Sequence, residues 1–301
     1  MKIIGSALLL YCFFFTLLVA PVTARLIVDQ TGEKIELPED PKRVLSLAPS
    51  LTEMIFSLQA EDRLVGVTRY SNFPAAANKI AKVGSYVQLD LERIVAIRPD
   101  LCIAIKDGNP RRTVDAIKAL GIPVFAIDPR NIEEILDALL LLGDILGASK
   151  RAEELVAELE HRLLQVKEKV ASSQDRPRVF FQIADIPIVS AGKDSYIDRL
   201  ITLAGGSNLA GSLTAYPRFS WENIMLLQPD VVLISSMDGG KSPETMKAEW
   251  QRWPEIPAVR NNQLHIVDAD LFNRPTGRLI AGLEILADIL HPVDLGESSA
   301  K

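Results

Sequence analysis

The chain has 301 residues, a formal net charge of -6, 48% apolar residues and two cysteines. The acidic balance argues against a nucleic-acid partner, and two cysteines cannot build a disulfide framework, so packing must supply the stability. A chain this long can bury its core as one large α/β unit or as two lobes.

The first residues read Met1-Lys2, then an uncharged apolar run over 3–20, then Pro21-Val22-Thr23-Ala24 before Arg25. A short basic start, an apolar stretch and small residues at the end predict a signal peptide over 1–24, cleaved after Ala24 for export to the periplasm. The run is also about long enough for a membrane anchor, but no basic stop follows it. Cys12 does not suit lipid attachment, because Tyr11 stands where a small residue is needed. Removing 1–24 takes one Lys and no acid, and leaves Cys102 as the only cysteine, inside the apolar run Leu101–Ile105, where it reads as a small buried hydrophobe.

Short apolar runs at 43–47, 64–67, 101–105 and 124–127 predict strands. The stretch 112–120, closed by Gly121, predicts the crossover helix of a βαβ unit. The same alternation returns later, with strands at 178–183, 231–235 and 264–267. Between the two sets, Ala152, Leu155, Val156, Leu159, Leu163, Val166 and Val170 step by threes and fours along 148–172. That spacing predicts one helix of roughly 36 Å with a single apolar stripe, and a Glu158–Arg162 pair on its wet side. A polar break at 172–177 ends it. The fold class is therefore α/β: two lobes (25–147 and 173–301), each a mainly parallel sheet flanked by helices, joined by one long backbone helix over 148–172.

An internal repeat supports two related lobes. Residues 91–101 (LERIVAIRPDL) align without gaps with 221–231 (WENIMLLQPDV). Each predicts a short helix, capped by Asp90 or Ser220, that stops before Pro-Asp and leads into a strand.

No nucleophile elbow, phosphate-binding loop or metal-spaced cluster is present, so the chain does not read as an enzyme. Gly205-Gly206 reads as a helix C-cap, and His161, His265 and His291 read as solvated or structural rather than as ligands. The informative residues leave strand ends: Arg69 to Pro74, Gly84-Ser85-Tyr86, Lys106 to Pro110, Tyr216 to Phe219, and Asp270 to Arg274. Tyr, Phe and Arg at such positions would line an apolar cleft with a few polar anchors.

The segments 43–53 (RVLSLAPSLTE), 67–74 (VTRYSNFP), 91–104 (LERIVAIRPDLCIA), Gly108-Asn109-Pro110 and 270–274 occur in the order found in a known family. Over nearly all of 40–292 the chain resembles the helical-backbone (class III) periplasmic binding proteins for iron siderophores, heme and cobalamin, and most closely its cobalamin-binding members. The resemblance implies a solute-binding component of an ABC importer. It would be a monomer that captures cobalamin between the lobes and delivers it to a permease dimer. A heme or iron-siderophore ligand is the alternative, with Tyr70 or Tyr86 able to serve heme iron. The resemblance also implies ligand contacts from Tyr70, Tyr86, Asn109 and Tyr216, with Phe272 and Arg274 opposite, and permease docking by Glu92 and Glu222. Tyr86 and Tyr216 stand where the cobalamin pattern has Trp, and Ile105, Val189 and Leu271 replace larger aromatics. No cofactor or metal site is implied.

Overall fold

The computed structural model describes residues 24–235 and 241–292. The expected leader lies outside the described residues except for Ala24, which opens the first strand. That strand, β1 (Ala24–Val28), pairs antiparallel with β2 (Lys34–Pro38) through a turn at Gly32, whose φ of +85° suits glycine. This hairpin was not anticipated from the sequence.

The first sheet comprises β3 (Val44–Ser46), β4 (Leu64–Gly66), β5 (Leu101–Ile105) and β6 (Val124–Ile127), all parallel, in the order β4-β3-β5-β6. Its helices are α1 (Pro49–Ser57), α2 (Leu91–Ile97) and α3 (Arg111–Ala119), followed by α4 (Ile132–Ile145). The long helix α5 (Ser149–Ala171) then leads to β7 (Arg178–Asp185), β8 (Ile188–Ser190), α6 (Tyr196–Leu203), β9 (Ser207–Asn208), β10 (Arg218–Phe219) and α7 (Trp221–Leu227). The chain closes with β11 (Val231–Ile234), α8 (Pro243–Trp250), α9 (Pro257–Arg260), β12 (Leu264–Ile266), α10 (Ala269–Asn273) and α11 (Leu279–Leu290). The second sheet runs β10-β8-β7-β11-β12 with β9 beside β7, and β8 is its reversed strand, pairing antiparallel with both β7 and β10.

Parallel strands covered on both faces should be apolar throughout, and these are. In β5, Leu101 and Ile103 join the central core, while Cys102 and Ala104 join a second cluster with Ile94 of α2 and Ile117 of α3. Burial pushes the Cys102 thiol up to about 12, in keeping with an inert, apolar role. In β11, Val231 and Leu233 face the central core, and Val232 and Ile234 face a cluster built on Phe180 and Trp250. The central core is continuous: it runs from Leu101 and Phe125 across the α5 stripe to Phe181 and Leu233. Six of the seven predicted stripe residues are buried and Val170 packs at the edge. Arg162, however, does not pair with Glu158. Its guanidinium grips Glu284 of α11 with two parallel bonds of 2.8 and 2.7 Å, because bidentate geometry on a half-buried partner outcompetes an exposed neighbour on the same helix. Gly205, at φ +78°, ends α6 as expected, its N–H reaching Thr202 O while that of Gly206 reaches Ile201 O.

The repeat is reproduced in three dimensions. α2 and α7 are each seven residues long, capped by Asp90 and Ser220, and each ends on a left-handed residue, Arg98 (φ +53°) or Gln228 (φ +45°), before Pro-Asp and a strand.

Candidate functional site

In the first sheet the chain steps from β3 outward to β4 and later lays β5 on the other side of β3. Such a reversal leaves a crevice beyond the carboxyl ends of the strands, where open α/β sheets bind ligands. Asn109 occupies it. Its Nδ2 donates to Leu47 O (2.7 Å) and Tyr86 O (3.0 Å), and its Oδ1 accepts from the Ile105 N–H (2.9 Å). Both donors and the acceptor are thus engaged with backbone on a residue only 7% exposed. Asn109, expected as a ligand contact, instead holds the loop that carries Tyr86. At Gly108 a Cβ would come within 2.6 Å of Ile105 Cγ2 and 3.7 Å of the Tyr86 ring, so a side chain there would crowd the loop.

The Tyr70 loop is set by a chain of buried hydroxyls. Thr52 Oγ1 lies 2.8 Å from Ser46 Oγ and donates to Ser71 Oγ at 3.0 Å, and Thr68 Oγ1 lies 2.9 Å from the same Ser71 oxygen. Lys82 Nζ adds bonds to Ser71 O and Ala77 O, and burial lowers its pKa. The Arg69 N–H donates to Gly84 O at 2.6 Å, tying the two tyrosine loops together. Tyr70 and Tyr86 emerge from this frame 41% and 37% exposed, so large aromatic faces stand open to solvent on a rigid base.

From the other half of the chain, Tyr216 is 61% exposed on a segment strapped to the end of β8. Gly192 N–H donates to Ala215 O, and a Cβ at 192 would lie 2.2 Å from Leu213 O, so only glycine permits this approach. Nearby, the Tyr196 hydroxyl donates to Pro129 O, a polar contact between the two halves. Burial pushes the Tyr196 phenol up; Arg130 opposes this, while Glu134, Asp128 and Tyr216 reinforce it.

Another polar meeting place is a cluster not anticipated from the sequence. Arg274 Nη1 donates to Glu53 Oε1 (2.6 Å) and Asn72 Oδ1 (3.0 Å), and its Nη2 pairs with Asp270 (2.9 Å). The other Glu53 oxygen takes Arg278 at 3.2 Å, and the Arg278 guanidinium lies 3.7 Å above the Phe73 ring. Burial pushes the Glu53 carboxyl up, and the hydrogen bonds and charges of Arg274 and Arg278 oppose that push. Arg274 therefore reaches the Tyr70 loop through Asn72. Phe272 does not: it is 1% exposed, with its ring 5.4 Å from Phe181, because the turn of α10 that carries Arg274 toward Glu53 aims Phe272 into the core. Leu271, not Phe272, is the partly exposed apolar residue of that turn. The signal for Glu53 was in the sequence. An acid among Leu51, Thr52, Met54 and Ile55, on a helix with no Lys or Arg, must find cations elsewhere.

Glu92 and Glu222 are exposed, each the second residue of its helix. A bond from Ser220 and one from its own backbone N–H hold the Glu222 carboxyl below its ordinary value. Among the described residues no group of His, Cys, Asp and Glu could hold a metal ion, and no helix is long and apolar enough to cross a membrane.

A family model for periplasmic binding proteins matches residues 44–271. The "Uncharacterized ABC transporter substrate-binding lipoprotein YvrC" of Bacillus subtilis (strain 168) is 32% identical over 281 residues, covering 91% of this chain and 87% of its own. A vitamin B12-binding protein of Vibrio parahaemolyticus is 30% identical over 243 residues, 80% of this chain and 86% of its own. Among solved structures, the periplasmic vitamin B12-binding protein BtuF of Vibrio cholerae superposes with a TM-score of 0.73 at 28% identity, covering 83% of this chain and 96% of its own. A periplasmic heme-binding protein of Pseudomonas aeruginosa gives 0.76 at 28%, covering 84% and 94%. The chain belongs to the periplasmic binding protein family, whose members bind solutes for transport and are not enzymes.

Proposed function

We propose that this chain captures cobalamin between a lobe of residues 25–147 and a lobe of residues 173–301, with 148–172 as the connector, and hands it to an ABC permease dimer. The observation that carries this reading is the pair Tyr70 and Tyr86, half-open on loops bonded to one another, with Arg274 reaching the same frame from the other half. Aromatic faces suit the apolar faces of a corrin ring, and Arg274 offers donors to amides at its edge. Tyr70, Tyr86, Tyr216 and Arg274 are the contacts in this reading. Asn109 positions Tyr86, and Phe272 supports the core beneath. Glu92 and Glu222 dock on the permease: two equivalent acids, one per lobe, match a two-fold symmetric partner. The protein acts as an exported monomer, its leader cleaved after Ala24.

An exposed tyrosine phenol such as that of Tyr70 also suits heme iron, so the test compares ligands. Titration calorimetry of cyanocobalamin into the protein gives one site with a Kd of about 1 μM or tighter, near -8 kcal/mol. Heat or a visible spectral shift with hemin or a ferric siderophore, beside silence with cyanocobalamin, overturns cobalamin as the ligand.

A further inference from the structure

Arg274 carries two carboxylates: Glu53 at 2.6 Å and Asp270 at 2.9 Å. Its neighbour Arg278 shares Glu53 and lies 4.0 Å from Asp268. In this cluster three carboxylates face two guanidiniums. Where the halves meet at Tyr196 and Pro129, acids again outnumber cations: Arg130 lies between Asp107 and Asp128, Lys106 pairs with Asp128 at 2.8 Å, and Glu134 accepts the Arg130 backbone N–H at 2.6 Å. Lys82, half-buried on Ser71 O and Ala77 O, adds one cation to the Tyr70 frame and offsets the surplus carboxylate of the Arg274 cluster, while Arg69, Lys193 and Arg218 on the loops that bear the site are exposed, so solvent and salt screen their pull. A guanidinium has five N–H donors, and Arg274 directs three of them to Glu53, Asn72 and Asp270. The remaining donors come with no net positive charge to attract an anion.

We infer that Glu53 is a specificity-determining residue: by holding and neutralising Arg274 from across the molecule, it selects a ligand edge of uncharged carbonyl acceptors, such as amides, over one of carboxylates. The inference rests on the corrinoid reading above and deepens it. Glu53 need not touch ligand. It acts by fixing where the guanidinium points and by cancelling its charge, which in a site of low dielectric governs the response to an anion.

The test uses two ligands of nearly the same shape, cyanocobalamin and its derivative with one edge amide hydrolysed to a carboxylate. Wild type binds the amide form at least about fivefold more tightly, and Glu53→Gln narrows that ratio by about threefold or more, since it removes a charge while keeping the side chain's size. Asp270→Asn, on a more exposed carboxylate of the same guanidinium, narrows it in the same sense and serves if Glu53→Gln does not fold. A purely structural role for Glu53 would weaken both ligands equally and leave the ratio alone. An unchanged ratio in the folded variants, or no discrimination by wild type, overturns the inference while the corrinoid reading stands. Failure of wild type to bind either compound overturns both.

Discussion

α2 and α7 open β5 and β11 in the same way, yet the lock that holds each turn is not equally strong. In the first copy Asp100 accepts the N–H groups of Lys42 (2.8 Å) and Arg43 (2.9 Å), and the Arg43 guanidinium bonds the carbonyls of Arg98 (3.0 Å) and Ile97 (2.5 Å). In the second, among the described residues, Asp230 accepts the N–H of Arg178 alone (2.9 Å), and the Arg178 guanidinium reaches Gln228 O alone, at 3.3 Å. The cause lies in the sequence: Pro177 stands where the first copy has Lys42, and proline has no N–H to give. The shared element is therefore an Arg at the start of the lobe's first central strand, clamped to the end of the repeat helix and to the Asp after it.

The largest expected effect tests whether the two copies are equivalent toward a partner. Both acids sit at exposed helix starts outside the tyrosine cluster, so Glu92→Ala with Glu222→Ala leaves cyanocobalamin affinity within about threefold and lowers the unfolding midpoint only slightly. Uptake in cells carrying the cognate permease falls by about tenfold or more, with each single substitution losing an intermediate amount, as expected when charge-assisted contacts at an interface are removed. Wild-type uptake by the double variant removes the docking role. A defect confined to one single variant shows instead that the permease does not read the copies alike.

A smaller effect tests the lock itself. Asp100→Ala leaves two backbone donors without their partner and Asp230→Ala leaves one, so urea denaturation gives losses of about 1.5 and about 0.7 kcal/mol respectively. Equal losses would mean that the extra bond from Lys42 contributes nothing.

This frame was legible in the sequence because its signals are local or periodic. Steps of three and four gave α5, and Pro-Asp gave both repeat turns. Of the expected site residues, Tyr70, Tyr86 and Tyr216 are exposed on the loops where the sequence put them, and Arg274, with its side chain 15% exposed, ends α10. What decides how they are held comes from residues far apart in sequence. Glu53 meets Arg274 and Arg278 more than two hundred positions away, and Arg162 prefers Glu284 over its own helix neighbour. Local spacing names a residue that needs a partner without saying which partner the fold will supply. Phe272 failed for a related reason, since one turn of α10 decides which of two adjacent apolar residues the core takes.

The smallest expected effect separates the two left-handed turn residues. A residue with a Cβ at φ near +50° is strained by about 1 kcal/mol, which glycine relieves while adding back part of that as unfolded-state entropy, so a replacement should gain roughly 0.5 kcal/mol. Arg98→Gly should show that gain, because the bonds at its carbonyl come from Arg43 and survive the loss of the Arg98 side chain. Gln228→Gly should show almost none, because the Gln228 Nε2 donates to Met225 O at 2.7 Å and satisfies a carbonyl in the last turn of α7. Removing that bond costs about as much as the released strain returns. Urea midpoints measured with unchanged m-values read the difference directly. Equal gains at both positions would mean that the Gln228 side chain adds nothing to its turn, and a loss at Arg98 would mean that the left-handed strain is already relieved by contacts of the Arg98 side chain.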